Sequence, residues 1–121
     1  MKSAELGRWG EERTAEAMEQ AGWTILDRNY RCRYGELDIV ARRDDILAFT
    51  EVKLRKNACF AEAREFVTAG KQRKLRLAAM NWLSVRPWAQ QFQPRFDVAE
   101  LYAPEGSEGQ YTITYLEAAF E

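Results

Sequence analysis

The sequence contains no histidine, and its two cysteines, Cys32 and Cys59, lie far apart without a CxxC pair. A zinc site would therefore have to rest on two thiolates and on carboxylates, so we expect both cysteines to be ordinary reduced thiols. The chain also lacks any stretch near the roughly 20 consecutive apolar residues that a membrane-spanning helix requires. Its start, MKSAELGRWGEER, has no apolar run of a signal peptide. These absences predict a cytoplasmic protein that does not bind a membrane.

The size and composition of the chain fit one compact domain. With 121 residues, 46% of them hydrophobic, we expect a single domain over residues 1–121 with one core and one site. The net charge of −1 conceals a segregation of charge, because the segment from Arg28 to Arg76 carries a balance of +6 and the remainder a balance of −7. A basic segment between acidic ends is typical of a phosphate-binding face, although a solvated surface without a partner has the same pattern.

The spacing of apolar residues predicts the order helix, three strands, helix, two strands. The first helix is predicted over 3–21, and Thr68 is the predicted cap of a second helix that runs to Ser84. The predicted strands cover 23–28, 36–41, 46–55, 95–102 and 111–116. Residues 29–35 are predicted to be a basic, aromatic connection, and residues 56–68 either a loop with a short helical turn or a mobile flap.

This order predicts an α/β domain with a mixed five-stranded sheet flanked by helices. The second helix connects the third and fourth strands, so these two strands are expected to be parallel. The second and third strands are expected to form an antiparallel hairpin that turns around residues 43–45.

The predicted hairpin carries the residues with chemical potential. Side chains alternate along a strand, so Glu51 and Lys53 are expected on one face. Asp38 and Glu51 lie at equal distances from the turn, which places them at comparable heights on neighbouring strands. Two adjacent carboxylates repel each other unless a cation neutralises them, and all-oxygen ligation favours Mg²⁺ or Mn²⁺. The hairpin therefore predicts a hard divalent metal at Asp38 and Glu51.

Such a metal would suit phosphodiester hydrolysis, which needs an activated water and neutralisation of the phosphate oxygens. Lys53 would orient or deprotonate that water, or stabilise the developing charge; the sequence leaves these roles open. Glu11, at the edge of the buried stripe of the first helix, is a candidate for a further metal ligand. The alternative is structural: Glu51 forms a surface salt bridge with Lys53 or Arg55, and Asp38 is a solvated strand residue.

The spacing of Asp38, Glu51 and Lys53 resembles the PD-(D/E)xK signature of restriction-endonuclease-like nucleases, in a variant without the proline. More closely, the chain resembles the bacterial YraN-like family, small proteins related to archaeal Holliday junction resolvases. The matching residues are Gly7-Arg8-x-Gly10-Glu11, Ala15, Gly22, Asn29-x-Arg31, Gly35-Glu36-Leu37-Asp38, Glu51-Val52-Lys53-x-Arg55, Lys71-Gln72, Trp82-Leu83, Arg95-Phe96-Asp97-Val98 and Ala119-Phe120.

The resemblance implies a restriction-endonuclease-like fold and a metal-dependent endonuclease, with Glu11, Asp38, Glu51 and Lys53 on the catalytic positions. It further implies DNA as the substrate, branched or Holliday-junction-like. Since a four-way junction needs two symmetric cuts, it also favours a homodimer. The alternative from another class is a catalytically silent nucleic-acid-binding or adaptor module with the same fold, and a third is a protein–protein interaction domain.

The basic segment supplies candidate phosphate contacts, because Lys and Arg provide most sequence-independent affinity for nucleic acid. These candidates are Arg31, Arg33, Arg55, Lys56, Lys71, Arg73 and Lys74. Tyr30 and Tyr34 are candidates for stacking on unpaired bases or for covering the core. Asp97 is expected to hold Arg95 or a sheet edge. The candidate dimer interface, for which core packing is the alternative, consists of Leu101, Tyr102, Tyr111, Ile113 and Tyr115.

Overall fold

The computed structural model describes residues 3–56 and 67–121. Within them, two α-helices and five strands follow the predicted order. The helices are α1 (Ser3–Gln20) and α2 (Ala69–Ser84), and the strands are β1 (Thr24–Cys32), β2 (Gly35–Arg43), β3 (Ile46–Arg55), β4 (Gln93–Tyr102) and β5 (Thr112–Phe120). Short 3₁₀ turns at Pro87–Ala89 and Gly106–Glu108 lie on either side of β4. The sequence predicts either a loop with a short helical turn or a mobile flap over residues 56–68. Most of that range, 57–66, lies outside the described residues, as does Cys59.

The five strands form one mixed sheet in the order β1-β2-β3-β4-β5. β3 and β4 are parallel, as their helical connection predicts, and the other neighbouring pairs are antiparallel. Val40 and Phe49 pack with α2, whereas their chain neighbours Ala41 and Ala48 pack with α1. Because adjacent strand residues point to opposite faces, the two helices cover opposite faces of the sheet. The α/β architecture with a mixed sheet flanked by helices is confirmed, and it is consistent with the restriction-endonuclease-like fold.

Thr68 caps α2 as predicted. Its side chain accepts a hydrogen bond from the backbone N–H of Lys71 at 3.2 Å, which satisfies one of the free donors of the first turn. The buried face of α2 consists of Leu75, Ala78, Ala79 and Trp82. This is the face that the helical spacing predicts, and it fixes which way Lys71 points.

Two strands, β1 and β5, end four residues beyond their predicted ends. β1 continues to Cys32, so the prediction of a connection over 29–35 is wrong for its first four residues. Asn29 lies within β1 although its backbone is left-handed (φ 54°), a conformation that asparagine adopts more readily than most residues. Tyr30 is consequently a strand residue that packs against the α2 core, and its hydroxyl contacts Asn81. For Tyr30, the covering role is the one that the structure supports.

β5 runs past the predicted end at Leu116 because it contains a bulge. Its register against β4 shifts between the pairs Phe96–Phe120 and Val98–Leu116, and Ala118 has a φ of 50°. The carboxylate of Asp97, which is fully buried, accepts a hydrogen bond from the Ala118 N–H at 2.9 Å. Asp97 therefore stabilises the strained turn of the bulge, and the expected role at a sheet edge is confirmed.

The same carboxylate satisfies three further donors. The Nε and Nη2 of Arg95 lie 2.9 and 3.0 Å from it, and the hydroxyl of Tyr115 donates at 2.6 Å. Burial, together with the Asp97 charge, raises the pKa of Tyr115 far above its ordinary value, so the phenol remains a proton donor. We call Asp97, Arg95, Tyr115 and the Ala118 N–H the Asp97 centre. It is a closed, fully satisfied network.

Two members of the candidate dimer interface belong to the interior. Leu101 is fully buried, and Tyr115 belongs to the Asp97 centre. Tyr111 is 39% exposed and packs edge-on against Trp9. Cys32 is a partly buried free cysteine. In the described part of the chain, no helix is both long and apolar enough to cross a membrane.

Candidate active site

Asp38 and Glu51 face each other across the β2–β3 hairpin. The last pair that registers the two strands is Ile39–Thr50, so Asp38 and Glu51 are the next residues outward. Both line a cavity of about 170 Å³ beneath the first two turns of α2. A water molecule takes up about 30 Å³, so the cavity has room for a small cation with a few of its waters. The juxtaposition that the hairpin predicts is present.

The carboxyl group of Asp38 is only partly compensated. Its Oδ2 accepts a hydrogen bond from the Val52 N–H at 2.8 Å. Burial, then the negative charge of Glu51, raise the pKa of Asp38 to about 8, and the Val52 bond only partly opposes them. In the absence of a cation, Asp38 therefore carries a proton at neutral pH.

Glu51 is 7% exposed and is held by Lys71, whose Nζ lies 2.6 Å from its Oε1. The proposed alternative of a surface salt bridge from Glu51 to Lys53 or Arg55 does not describe the structure, because Glu51 is buried and its partner comes from α2. Arg55 instead lies 3.5 Å from Glu100.

Glu11 approaches from α1, on the other side of the sheet. Its side chain lines a cavity of about 540 Å³ together with Arg8, Asn29, Arg31 and Glu36. Within the described residues, the Oε1 of Glu11 is buried and has no hydrogen-bond partner. Burial, followed by the charge of Glu36, raises the pKa of Glu11. A buried oxygen without a donor is costly, and a cation is one way to satisfy it.

Glu36 links the two cavities, since it lines both. Glu36 lies in the motif Gly35-Glu36-Leu37-Asp38, but we predicted no role for it from the sequence. Its position two residues before Asp38 on the same strand was the available signal, because residues i and i+2 share a face. Its charge contributes to the raised pKa of both Glu11 and Asp38.

Lys53 lies farther along β3. It is partly buried and pairs in register with Glu100 of β4. It is not among the described residues that line the Asp38–Glu51 cavity. The structure thus brings Asp38 and Glu51 together and Glu11 near them, while Lys53 remains at the margin.

The chemistry of the side chains around Asp38 suits a hard divalent cation. All of their candidate ligand atoms are carboxylate oxygens, the pKa of Asp38 is strongly raised, and within the described residues the Oε1 of Glu11 has no hydrogen-bond partner. In residues 3–56 and 67–121, however, no three Asp, Glu or Cys side chains converge as a ready-made metal-binding group. We call Asp38, Glu51, Glu11 and Glu36 the Asp38 centre. A proton on Asp38 and the Lys71 ammonium group beside Glu51 offset part of its charge.

Three of the candidate phosphate contacts lie around the Asp38 centre. Lys71 and Lys74 line its smaller cavity, and Arg31 lines the larger one, with 80% of its side chain exposed. These three side chains form a basic rim around the carboxylates. Arg33 is exposed beside Tyr34, whose ring it covers, and lines neither cavity.

The remaining candidates are placed differently. Arg73 is exposed on α2. The side chain of Arg55 is only 12% exposed and is paired with Glu100. Lys56 borders a cavity beside the acidic turn at Glu105 and Glu108. Arg55 and Lys56 thus face carboxylates, which weakens their claim to phosphate.

A further cavity, of about 380 Å³, lies between α1 and β5 and is lined mainly by apolar groups such as Met18 and Trp23. Its inner polar groups are already satisfied, because the hydroxyl of Thr14 donates to the Gly10 carbonyl and that of Tyr115 binds Asp97. Within the described residues, this cavity therefore offers less unsatisfied polar chemistry than the Asp38 centre, where the Glu11 Oε1 has no partner.

Comparison with known proteins identifies relatives over nearly the whole chain. A family described as "Uncharacterised protein family UPF0102" matches residues 10–101. The UPF0102 protein of Rhodococcus opacus (strain B4) is 41% identical over 117 residues, which cover 95% of each chain. Those of Syntrophomonas wolfei and Myxococcus xanthus (strain DK1622) are 41% and 34% identical, covering 84% and 97% of this chain and 88% and 90% of their own. The chain therefore belongs to the UPF0102 family, which is the YraN-like family that its motifs resemble.

Proposed function

We propose that this protein is a metal-dependent endonuclease that hydrolyses phosphodiester bonds in DNA and uses Mg²⁺ or Mn²⁺. The observation that carries the proposal is the pair of buried carboxyl groups of Asp38 and Glu51, of which Asp38 is only partly compensated, in a cavity with a basic rim. Burying two neighbouring carboxyl groups costs free energy of folding, and a purely structural role for them would not compensate for that cost.

The bound ion would supply an activated water and neutralise charge on the phosphate oxygens. Asp38 and Glu51 would hold it, and Glu11 would contribute its unsatisfied oxygen, directly or through a water. Lys53 would orient the attacking water or stabilise negative charge from the margin of the site. Lys71, Lys74 and Arg31 would bind the phosphates on either side.

The substrate we propose is branched or Holliday-junction-like DNA, cut by a homodimer. This part rests on the family resemblance and on the need for two symmetric cuts at a four-way junction.

The test is a cleavage panel of four-way, flapped, single-stranded and duplex DNA with Mg²⁺ or Mn²⁺. We expect cleavage by the unaltered protein and a loss on the order of 100-fold or more in Asp38→Asn, as for removal of other essential electrostatic groups. Glu117→Gln is the matched control, because Glu117 is an exposed carboxylate outside the Asp38 centre. No cleavage of any substrate, or equal cleavage by Asp38→Asn, would contradict the proposal.

The second candidate is a silent nucleic-acid-binding module with the same fold. It is favoured by the ion pair of Lys71 with Glu51 and by the lack of three converging carboxylates in the described residues. Salt-dependent DNA binding without cleavage, with metal present, would select it.

A further inference from the structure

Lys71 supplies the positive charge that compensates the carboxylate of Glu51. Its Nζ lies 2.6 Å from the Glu51 Oε1, and Glu51 is almost wholly buried. The Lys71 side chain itself is 39% exposed, so the ammonium group reaches inward from the surface on a flexible stem.

The backbone of Lys71 is fixed independently of this contact. Its N–H donates to the Thr68 hydroxyl, and the next residue, Gln72, donates from its backbone to the Thr68 carbonyl at 2.8 Å and from its side chain to the Val67 carbonyl at 3.0 Å. The side chain can therefore leave Glu51 without any movement of α2.

An ammonium group and a divalent cation repel each other strongly when both contact the same buried carboxylate group. We infer that Lys71 is the built-in counter-ion of the Asp38 centre, that a divalent cation displaces it from Glu51, and that the released amine then becomes a phosphate contact. This inference rests on the proposed function, because it presupposes a cation at Asp38 and Glu51. It adds a positioning role for Lys71: the residue compensates the charge of Glu51 until a cation binds, and then moves away from Glu51.

Lys74 provides a matched control. It lies on the same helix, lines the same cavity and carries the same charge, but the carboxylate contact belongs to Lys71. A general effect of positive charge near the site would act through both lysines, whereas direct competition for Glu51 would act through Lys71 alone.

The test is a calorimetric titration of Mn²⁺ into the metal-free protein without nucleic acid. We expect Lys71→Met to bind Mn²⁺ about tenfold more tightly than the unaltered protein, since a charged hydrogen bond of this kind contributes about 1.5 kcal/mol. Lys74→Met should change the affinity by no more than about twofold, as expected for a screened surface charge. Equal affinities in all three proteins, or equal tightening in both variants, would overturn the inference alone. No binding by any of them would overturn the proposed metal site as well.

A second measurement uses the unaltered protein and so does not depend on the folding of a variant. The rate of reductive methylation of each lysine is followed by mass spectrometry with and without Mn²⁺. Lys71 should become more reactive when Mn²⁺ is added, while Lys74 should not change. An unchanged or slower reaction at Lys71, in a protein that binds Mn²⁺, would contradict its displacement.

Discussion

The sheet contains two buried carboxylate centres that differ in how their charge is satisfied. Asp97 accepts four hydrogen bonds, two of them from the Arg95 guanidinium. Asp38 accepts one from Val52, faces Glu51 and has a pKa of about 8. Burying a carboxylate is tolerated when donors and a cation surround it, and is costly otherwise. The carboxylate of Asp97 thus stabilises the fold, whereas Asp38 is only partly compensated, and there we propose that a divalent cation binds.

The largest predicted effect is on the Asp97 centre. Asp97→Ala leaves Arg95 without its partner and the bulge at Ala118 without its acceptor, so the free energy of unfolding should fall by about 3 to 5 kcal/mol. Asp38→Asn should change it by less than about 1 kcal/mol, because asparagine is a neutral isostere of the protonated Asp38 and can still accept the hydrogen bond from the Val52 N–H. Urea denaturation of the metal-free proteins measures both. Equal losses would remove the distinction between the two centres.

A smaller change at the Asp97 centre tests the same distinction. Tyr115→Phe removes the donor at 2.6 Å from Asp97 and should cost about 1.5 to 3 kcal/mol, the range for hydrogen bonds to charged groups. Glu11→Gln, at the Asp38 centre, should cost far less, because the Glu11 Oε1 has no partner to lose in the described structure. Thermal denaturation compares the two variants, and a greater loss in Glu11→Gln would contradict the assignment of Glu11 to the unsatisfied centre.

The pH dependence of stability sharpens the comparison further. Between its ordinary value of 3.8 and about 8, Asp38 is protonated in the folded protein and ionised in the unfolded one. The folded state then binds more protons, so the free energy of unfolding falls as the pH rises through this window. One group contributes at most about 1.4 kcal/mol per pH unit.

Urea denaturation of the metal-free protein at several pH values gives this slope. Asp38→Asn should flatten it, while Glu117→Gln, at an exposed carboxylate, should not. An identical slope in the unaltered protein and Asp38→Asn would contradict the raised pKa of Asp38.

The smallest effect on stability is expected at the basic rim. Arg31 lies 3.6 Å from Glu36 with its side chain largely exposed, so Arg31→Ala should change the free energy of unfolding by less than about 0.5 kcal/mol. If Arg31 contacts a phosphate, the slope of log affinity for DNA against log salt concentration should be smaller in magnitude by about 1 in Arg31→Ala than in the unaltered protein. Arg42→Ala is the control, since Arg42 lies at the other end of β2, over Phe92. Equal slopes for both variants would remove Arg31 from the DNA-binding surface.

The sequence was sufficient for the parts of the fold that depend on local patterns. Helical spacing and the Thr68 cap defined α2, and counting from the hairpin turn placed Asp38 opposite Glu51. The ends of β1 and β5 were missed because residues with positive φ, Asn29 and Ala118, lie inside strands and disturb the alternation of side chains. The hydrogen bond from Ala118 to Asp97 that stabilises one of them spans 21 positions of the chain.

The same limit applies to the site, because only the part of it that depends on local patterns could be predicted. The contact between Lys71 and Glu51 depends on where α2 packs over the sheet, which no local pattern specifies. The proximity of Glu11 to Glu36 depends likewise on the packing of α1 on the other face. Sequence reasoning therefore identified the carboxylates of the hairpin and could not identify the groups that neutralise them.

Metal binding at the Asp38 centre is tested most directly by a calorimetric titration of Mn²⁺ into the unaltered protein, Asp38→Asn and Glu117→Gln. We expect the unaltered protein and Glu117→Gln to bind Mn²⁺ with equal affinity, and Asp38→Asn to bind it at least about tenfold more weakly, because a carboxylate ligand has been lost. Equal binding by all three proteins, or no binding by the unaltered protein, would contradict the claim that the Asp38 centre takes a divalent cation.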